Sequence, residues 1–91
     1  MGNQVITGGY KVISATGNVT AIIGDLVGIF VSAASSTPTI TIYDSATTTT
    51  TAPIATVFTP TAGTFYNIPV SYTTGLYIVI GGTVSATVIF A

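Results

Sequence analysis

The chain has no cysteine, no histidine and no tryptophan, and its only charged side chains are Lys11, Asp25 and Asp44. Each absence removes a class of function. Without Cys there is neither a disulfide framework nor a thiolate nucleophile. Without His or Cys there is no ligand set for Zn²⁺, and two carboxylates without clustered oxygen donors make a poor Ca²⁺ site. No metal or cofactor is expected. General acid–base chemistry would fall to the two aspartates. Asp25 follows Gly24 and Asp44 precedes Ser45, and in such turn contexts a carboxylate accepts backbone hydrogen bonds. A glycosidase pair would need the two groups about 5 to 9.5 Å apart, and nothing in their spacing brings them together. The chain therefore reads as a non-enzyme. Nucleic acid is excluded as a partner on similar grounds, because affinity for phosphates rests on Lys and Arg and Lys11 stands alone. A lone Lys on a first strand reads as an edge charge that discourages strand pairing.

Long apolar runs are missing too. None approaches the roughly 20 residues of a membrane helix, and eight barrel-spanning strands of about 9 to 11 residues would leave almost nothing for turns. The start, MGNQVITGGYKV, has neither a basic segment nor an apolar one of the secretory kind. No membrane partner is expected. The triplet Asn18-Val19-Thr20 fits a glycosylation acceptor, but with no secretory signal it reads as coincidence.

Charged residues make up 3% of the chain and the formal net charge is −1, against about a quarter charged in ordinary soluble domains. Little repulsion keeps such chains apart, and near-zero net charge promotes association. Much of the outside is therefore expected to be covered by copies of the chain or by another partner. With 91 residues, a single domain is expected, burying roughly 60 to 65% of its unfolded surface. Residues 1–9 are a candidate N-terminal arm.

What is present is β-structure. Residues 75–90, GLYIVIGGTVSATVIF, carry β-branched and aromatic residues in two arms around Gly81-Gly82, the pattern of a β-hairpin. A three-residue loop with Gly82 left-handed would set Ile78 opposite Val84 and Leu76 opposite Ala86. Leu76, Ile78, Val84, Ala86, Val88 and Phe90 then share the inward face, and Tyr77 and Val79 the other. Elsewhere, residues 4–13 read as a strand broken by a glycine bend, 18–23 as a short strand and 26–33 as a strand apolar on both faces, hence central. Residues 39–43 alternate strictly, with Ile40 and Ile42 inward. Residues 47–51, five consecutive threonines, mark a solvated loop. Residues 54–59 and 65–72 are further strands, the latter marked by Pro69 as an edge or bulge. About eight short strands with frequent turn signals and no helical period predict an all-β antiparallel sandwich, jelly-roll-like or Greek-key.

Nine aromatic residues remain. The phenylalanines are assigned to the core, and the tyrosines bridge core and interface with wet hydroxyls. Exposed tyrosines could also stack on sugars, although Trp is absent, as are the Arg, Glu and paired Asp residues that orient sugar hydroxyls. Tyr43, Tyr77 and Val79 are the candidate interface residues.

The stretches LVGIFVSAASSTPTITIYD and TVFTPTAGTFYNIPVSYTTGLYIVIGGTVSATVIFA resemble small, low-charge structural proteins of tailed bacteriophages. Thr64-Phe65-Tyr66 before Ile68-Pro69, and Gly75-Leu76-Tyr77 with Gly81-Gly82-Thr83, carry the likeness. The resemblance implies a virion protein assembled in the host cytoplasm, in particular a capsid cement or decoration protein set on the shell as homotrimers. Its partners would be itself and the major capsid protein. A tail, fibre or head-fibre subunit is the structural alternative, and a sugar-binding host-attachment module the alternative from another class.

Overall fold

The computed structural model describes residues 9–35 and 37–91. They form eight strands: β1 (Gly9–Ile13), β2 (Gly17–Thr20), β3 (Gly24–Ala34), β4 (Thr39–Tyr43), β5 (Pro53–Phe58), β6 (Thr64–Tyr72), β7 (Leu76–Gly81) and β8 (Val84–Phe90). Alternation in the sequence becomes alternation in burial. In β4, Ile40 and Ile42 are fully buried while Thr39, Thr41 and Tyr43 turn outward, because successive side chains of a strand point to opposite faces.

The strands make two antiparallel four-stranded sheets, a front sheet β1-β8-β3-β6 and a back sheet β2-β7-β4-β5. The pairing is nested: β1 with β8, β2 with β7, β3 with β6 and β4 with β5. One long antiparallel hairpin would have the same pairs. Rolling that hairpin up adds two further contacts, β3 with β8 and β4 with β7, and the product is the eight-stranded jelly roll. Every connection except β4–β5 passes from one sheet to the other. The expected all-β sandwich is thus present, in its jelly-roll form.

A single core lies between the sheets. The front sheet contributes Ile13, Leu26, Ile29, Val31, Tyr72, Val84, Ala86 and Val88, and the back sheet Val19, Ile40, Ile42, Leu76 and Ile78. No buried side-chain polar atom among the described residues lacks a hydrogen-bond partner, as burial of such atoms requires.

Residues 75–90 do not form a hairpin. β7 pairs with β2 and β4, β8 pairs with β1 and β3, and the two arms lie in different sheets. The turn between them carries the chain across the core. The expected inward set nevertheless holds: Leu76, Ile78, Val84, Ala86 and Val88 are buried and Phe90 packs against the core. Gly82 is left-handed, with φ of 74°. The reason is geometric. Two arms facing each other across a sandwich need the same inward alternation as two arms side by side in one sheet, so the pattern fixes the face of each strand and leaves its partner open. The corner is secured by its neighbour, the β3–β4 connection. Ser35 N–H donates to the Thr83 carbonyl at 2.8 Å and Thr83 N–H to Ser35 Oγ at 3.2 Å.

Other boundaries differ for equally local reasons. β2 stops at Thr20, and Ile22 and Ile23 stand exposed where the chain leaves the back sheet for the front one. The expected strand start at residues 4–8 and the N-terminal arm fall outside the described residues, except for Gly9, which begins β1. β3 is interior to its sheet, and β6, with Pro69, is an edge. Lys11 lies on the edge strand β1, where its Nζ donates to the Asn18 carbonyl at 3.0 Å.

Candidate functional site

One end of the sandwich gathers the β2–β3, β4–β5 and β6–β7 connections, and both carboxylates stand there. Asp44, just past β4, accepts from Thr73 N–H at 2.9 Å and Thr73 Oγ1 at 3.0 Å through one oxygen. Its other oxygen accepts from Thr74 N–H and Thr74 Oγ1, both at 2.9 Å, and from Gly75 N–H at 3.4 Å. Desolvation pushes the carboxyl's pKa up, but the Thr73 and Thr74 backbone and hydroxyl donors outweigh it and hold the group far below the ordinary carboxylate value. A carboxylate so occupied is a clasp joining β4 to the β6–β7 connection. Asp25, at the start of β3, accepts from Ser71 Oγ at 2.6 Å. The two aspartates therefore flank the same short stretch of chain from different sheets, each engaged by its own hydroxyl partner. Neither is aimed at a shared point. Among the described residues no group of three or more potential metal-ligating side chains occurs.

The threonine loop beside Asp44 is solvated, as expected, and also tethered. Buried Ser45 accepts from Thr47 N–H and Thr49 N–H, both at 3.1 Å. Asn18 Nδ2 donates to the carbonyls of Ser45 and Thr47 at 3.3 and 2.8 Å. The Asn18 amide is thus committed to holding the loop across the end of β7.

Tyr43, Tyr77 and Val79 all lie on the outer face of the back sheet. Tyr43 and Tyr77 are cross-strand partners whose rings stack with centroids 6.1 Å apart, and Thr41 pairs with Val79. Asn18 flanks Tyr77 from the other side. Tyr77 is consequently only 8% exposed. This row is largely satisfied within the chain.

The outer face of the front sheet is different. Its registers align two rows that cross all four strands. One runs Val12, Thr87, Phe30, Phe65; the other runs Tyr10, Ile89, Gly28, Asn67. Tyr10 is 72% exposed, Val12 62%, Phe65 45% and Phe30 39%. The Phe65 ring leans over Gly28, where any Cβ would collide with it, so the glycine lets the ring lie flat across the sheet. Asp25 and Ser71 lie at the rim of this face, at the end of β3 and β6. Sequence reasoning assigned Phe65 to the core along with the other phenylalanines, and Phe30 also because its strand is apolar on both faces, which implies cover on both sides. The fold supplies cover on one side only. An outward Phe in an antiparallel strand was the available signal.

No family model matches the chain, and no curated protein or solved structure matches it.

Proposed function

We propose that the chain is a non-enzymatic virion protein of a tailed bacteriophage, serving as a capsid cement or decoration subunit that stabilises the head shell. The observation that carries this reading is an uncharged outer face on the front sheet, with Tyr10, Val12, Phe30 and Phe65 exposed on it, in a chain with only three charged residues. Patches of this kind on small domains mark surfaces that meet another protein. The jelly roll supports it, being an architecture used in capsids and lectins, and the likeness of residues 64–69 and 75–83 to phage structural proteins supports the virion. A cement protein needs buried apolar area, at about 25 cal/mol per Å², and no reacting group. Low charge suits that task because few ions must be desolvated at the contact. Sugar binding through Tyr43 and Tyr77 is disfavoured, since their rings are turned toward each other and Tyr77 is covered.

The test is made on particles. Virions lacking the protein should release DNA on heating or osmotic shock under conditions that intact virions survive, and labelled protein should decorate the head. Unaltered shell stability, or label confined to the tail or a fibre, would overturn the cement assignment.

A further inference from the structure

We infer that the outer face of the front sheet is a self-association surface, whose occupant is the same face of a second copy of this chain. The inference rests on the reading of the chain as an assembly component, but it does not depend on where in a particle the chain sits.

The area argues for a protein partner. At the exposures of Tyr10, Phe30 and Phe65, the three rings offer on the order of 300 Å² to solvent. Val12 and the half-buried Ile89 extend the patch into the range of roughly 300–600 Å² reached by the largest patch on a monomer. Two such faces packed together would bury on the order of 1,000 Å², about the lower limit for a specific interface.

Charge argues for a copy of the same chain. An occupant of this centre must bring no unpaired ion into it, because burying one without a partner is costly. This chain meets that condition with its own front face. Lys11 alternates to the opposite side of β1 and reaches Asn18 of the back sheet. Asp25 is confined to the rim, with Ser71 donating to it, and a polar rim around an apolar centre is the usual anatomy of an interface.

Shape argues for two-fold pairing. The exposed side chains are divided between the two edge strands, Tyr10 and Val12 on β1 and Phe65 on β6, with Phe30 and Thr87 between them. A two-fold axis parallel to the strands lays β1 of one copy over β6 of the other, so Tyr10 and Val12 of each copy meet Phe65 of its partner. Sheets stack face to face at about 10 Å, which side chains of this size fill. Such a contact is isologous and closed.

Sedimentation of the purified full chain tests the proposal. The wild type should sediment as a dimer, or a multiple of it, at a chain concentration of roughly 100 µM, a level that also registers an interface at the small, weak end of the size range. Val12→Lys and Phe65→Lys should each weaken association by on the order of a hundredfold. Thr87→Lys carries the same test from the centre of the face if either variant fails to show the wild-type β-sheet circular dichroism. Val57→Lys, exposed on the edge strand β5 of the back sheet, should leave the mass unchanged. A monomeric wild type would overturn the inference and leave the face to a different protein, and a trimeric one would overturn the two-fold pairing. So would front-face lysine variants that associate normally, or a loss seen only with Val57→Lys. Failure of particle decoration with self-association intact would sink the cement reading alone.

Discussion

The two outer faces of this sandwich carry aromatic residues in cross-strand rows, yet they use them in opposite ways. On the back sheet, Tyr77 has Tyr43 stacked on one side and Asn18 on the other, and the Ser45-centred loop is pinned across the end of the strand. On the front sheet, Phe30 and Phe65 are neighbours in register, but among the described residues no connection folds over them, and Tyr10 and Val12 are exposed at the β1 edge. The difference comes from the connections. The β4–β5 loop is the one that stays within its own sheet, so it can turn back over that sheet's face; the others are used in crossing the sandwich. A face with a loop of its own can bury its rings internally, whereas the other face is left with rings that no described connection covers.

Removing a ring from each face separates their two roles most strongly. Tyr77→Ala should cost about 3 kcal/mol, since it deletes a nearly buried ring and its stacking partner's contacts. For a domain of this size that lowers the melting temperature by on the order of 15 °C. A loss under about 1 kcal/mol in chemical denaturation would mean that the back face is as open as the front one.

Next in size is the clasp that holds the loop end of the sandwich. Asp44→Ala leaves Thr73 N–H and Thr74 N–H without their acceptor, and solvent access limits the loss to about 2 kcal/mol. The pH dependence has a definite sign. The Asp44 carboxyl is held below its ordinary value of 3.8 in the folded state, so its stabilisation is complete above that value. It is withdrawn as pH falls further, because the unfolded chain then takes up a proton that the folded one does not. Wild-type stability should therefore decline below about pH 4, and the Asp44→Ala variant should show a shallower decline. Parallel acid limbs in urea titrations would show that Asp44 is not the group responsible.

The faces of the strands were legible in the sequence because alternation is a local property. Ile40 and Ile42 in β4, and Leu76, Ile78, Val84, Ala86 and Val88 around the corner, were placed inward from spacing alone. Strand partners were not legible, because pairing depends on residues far apart in the chain. Gly81-Gly82 signals a reversal without saying whether the chain returns within the sheet or crosses to the other one. The exposure of individual rings was not legible for the same reason. Tyr77 stands between Leu76 and Ile78 and Phe65 between Thr64 and Tyr66, and neither local setting says which ring a distant part of the chain packs against.

The smallest effect on the isolated chain gives the sharpest test of the contrast. Phe65 is nearly half exposed and rests on Gly28, so Phe65→Ala should reduce the stability of a dilute monomer by less than about 1 kcal/mol, as at other partly exposed sites. Its larger consequence should appear only as concentration rises. Association that favours the folded state makes the melting temperature climb with chain concentration, and Phe65→Ala should flatten that climb, while Tyr77→Ala should lower the whole curve and keep its slope. Two variants that shift the curve in the same manner would show that the rings of both faces serve the fold alike, and the division of labour between the faces would fail.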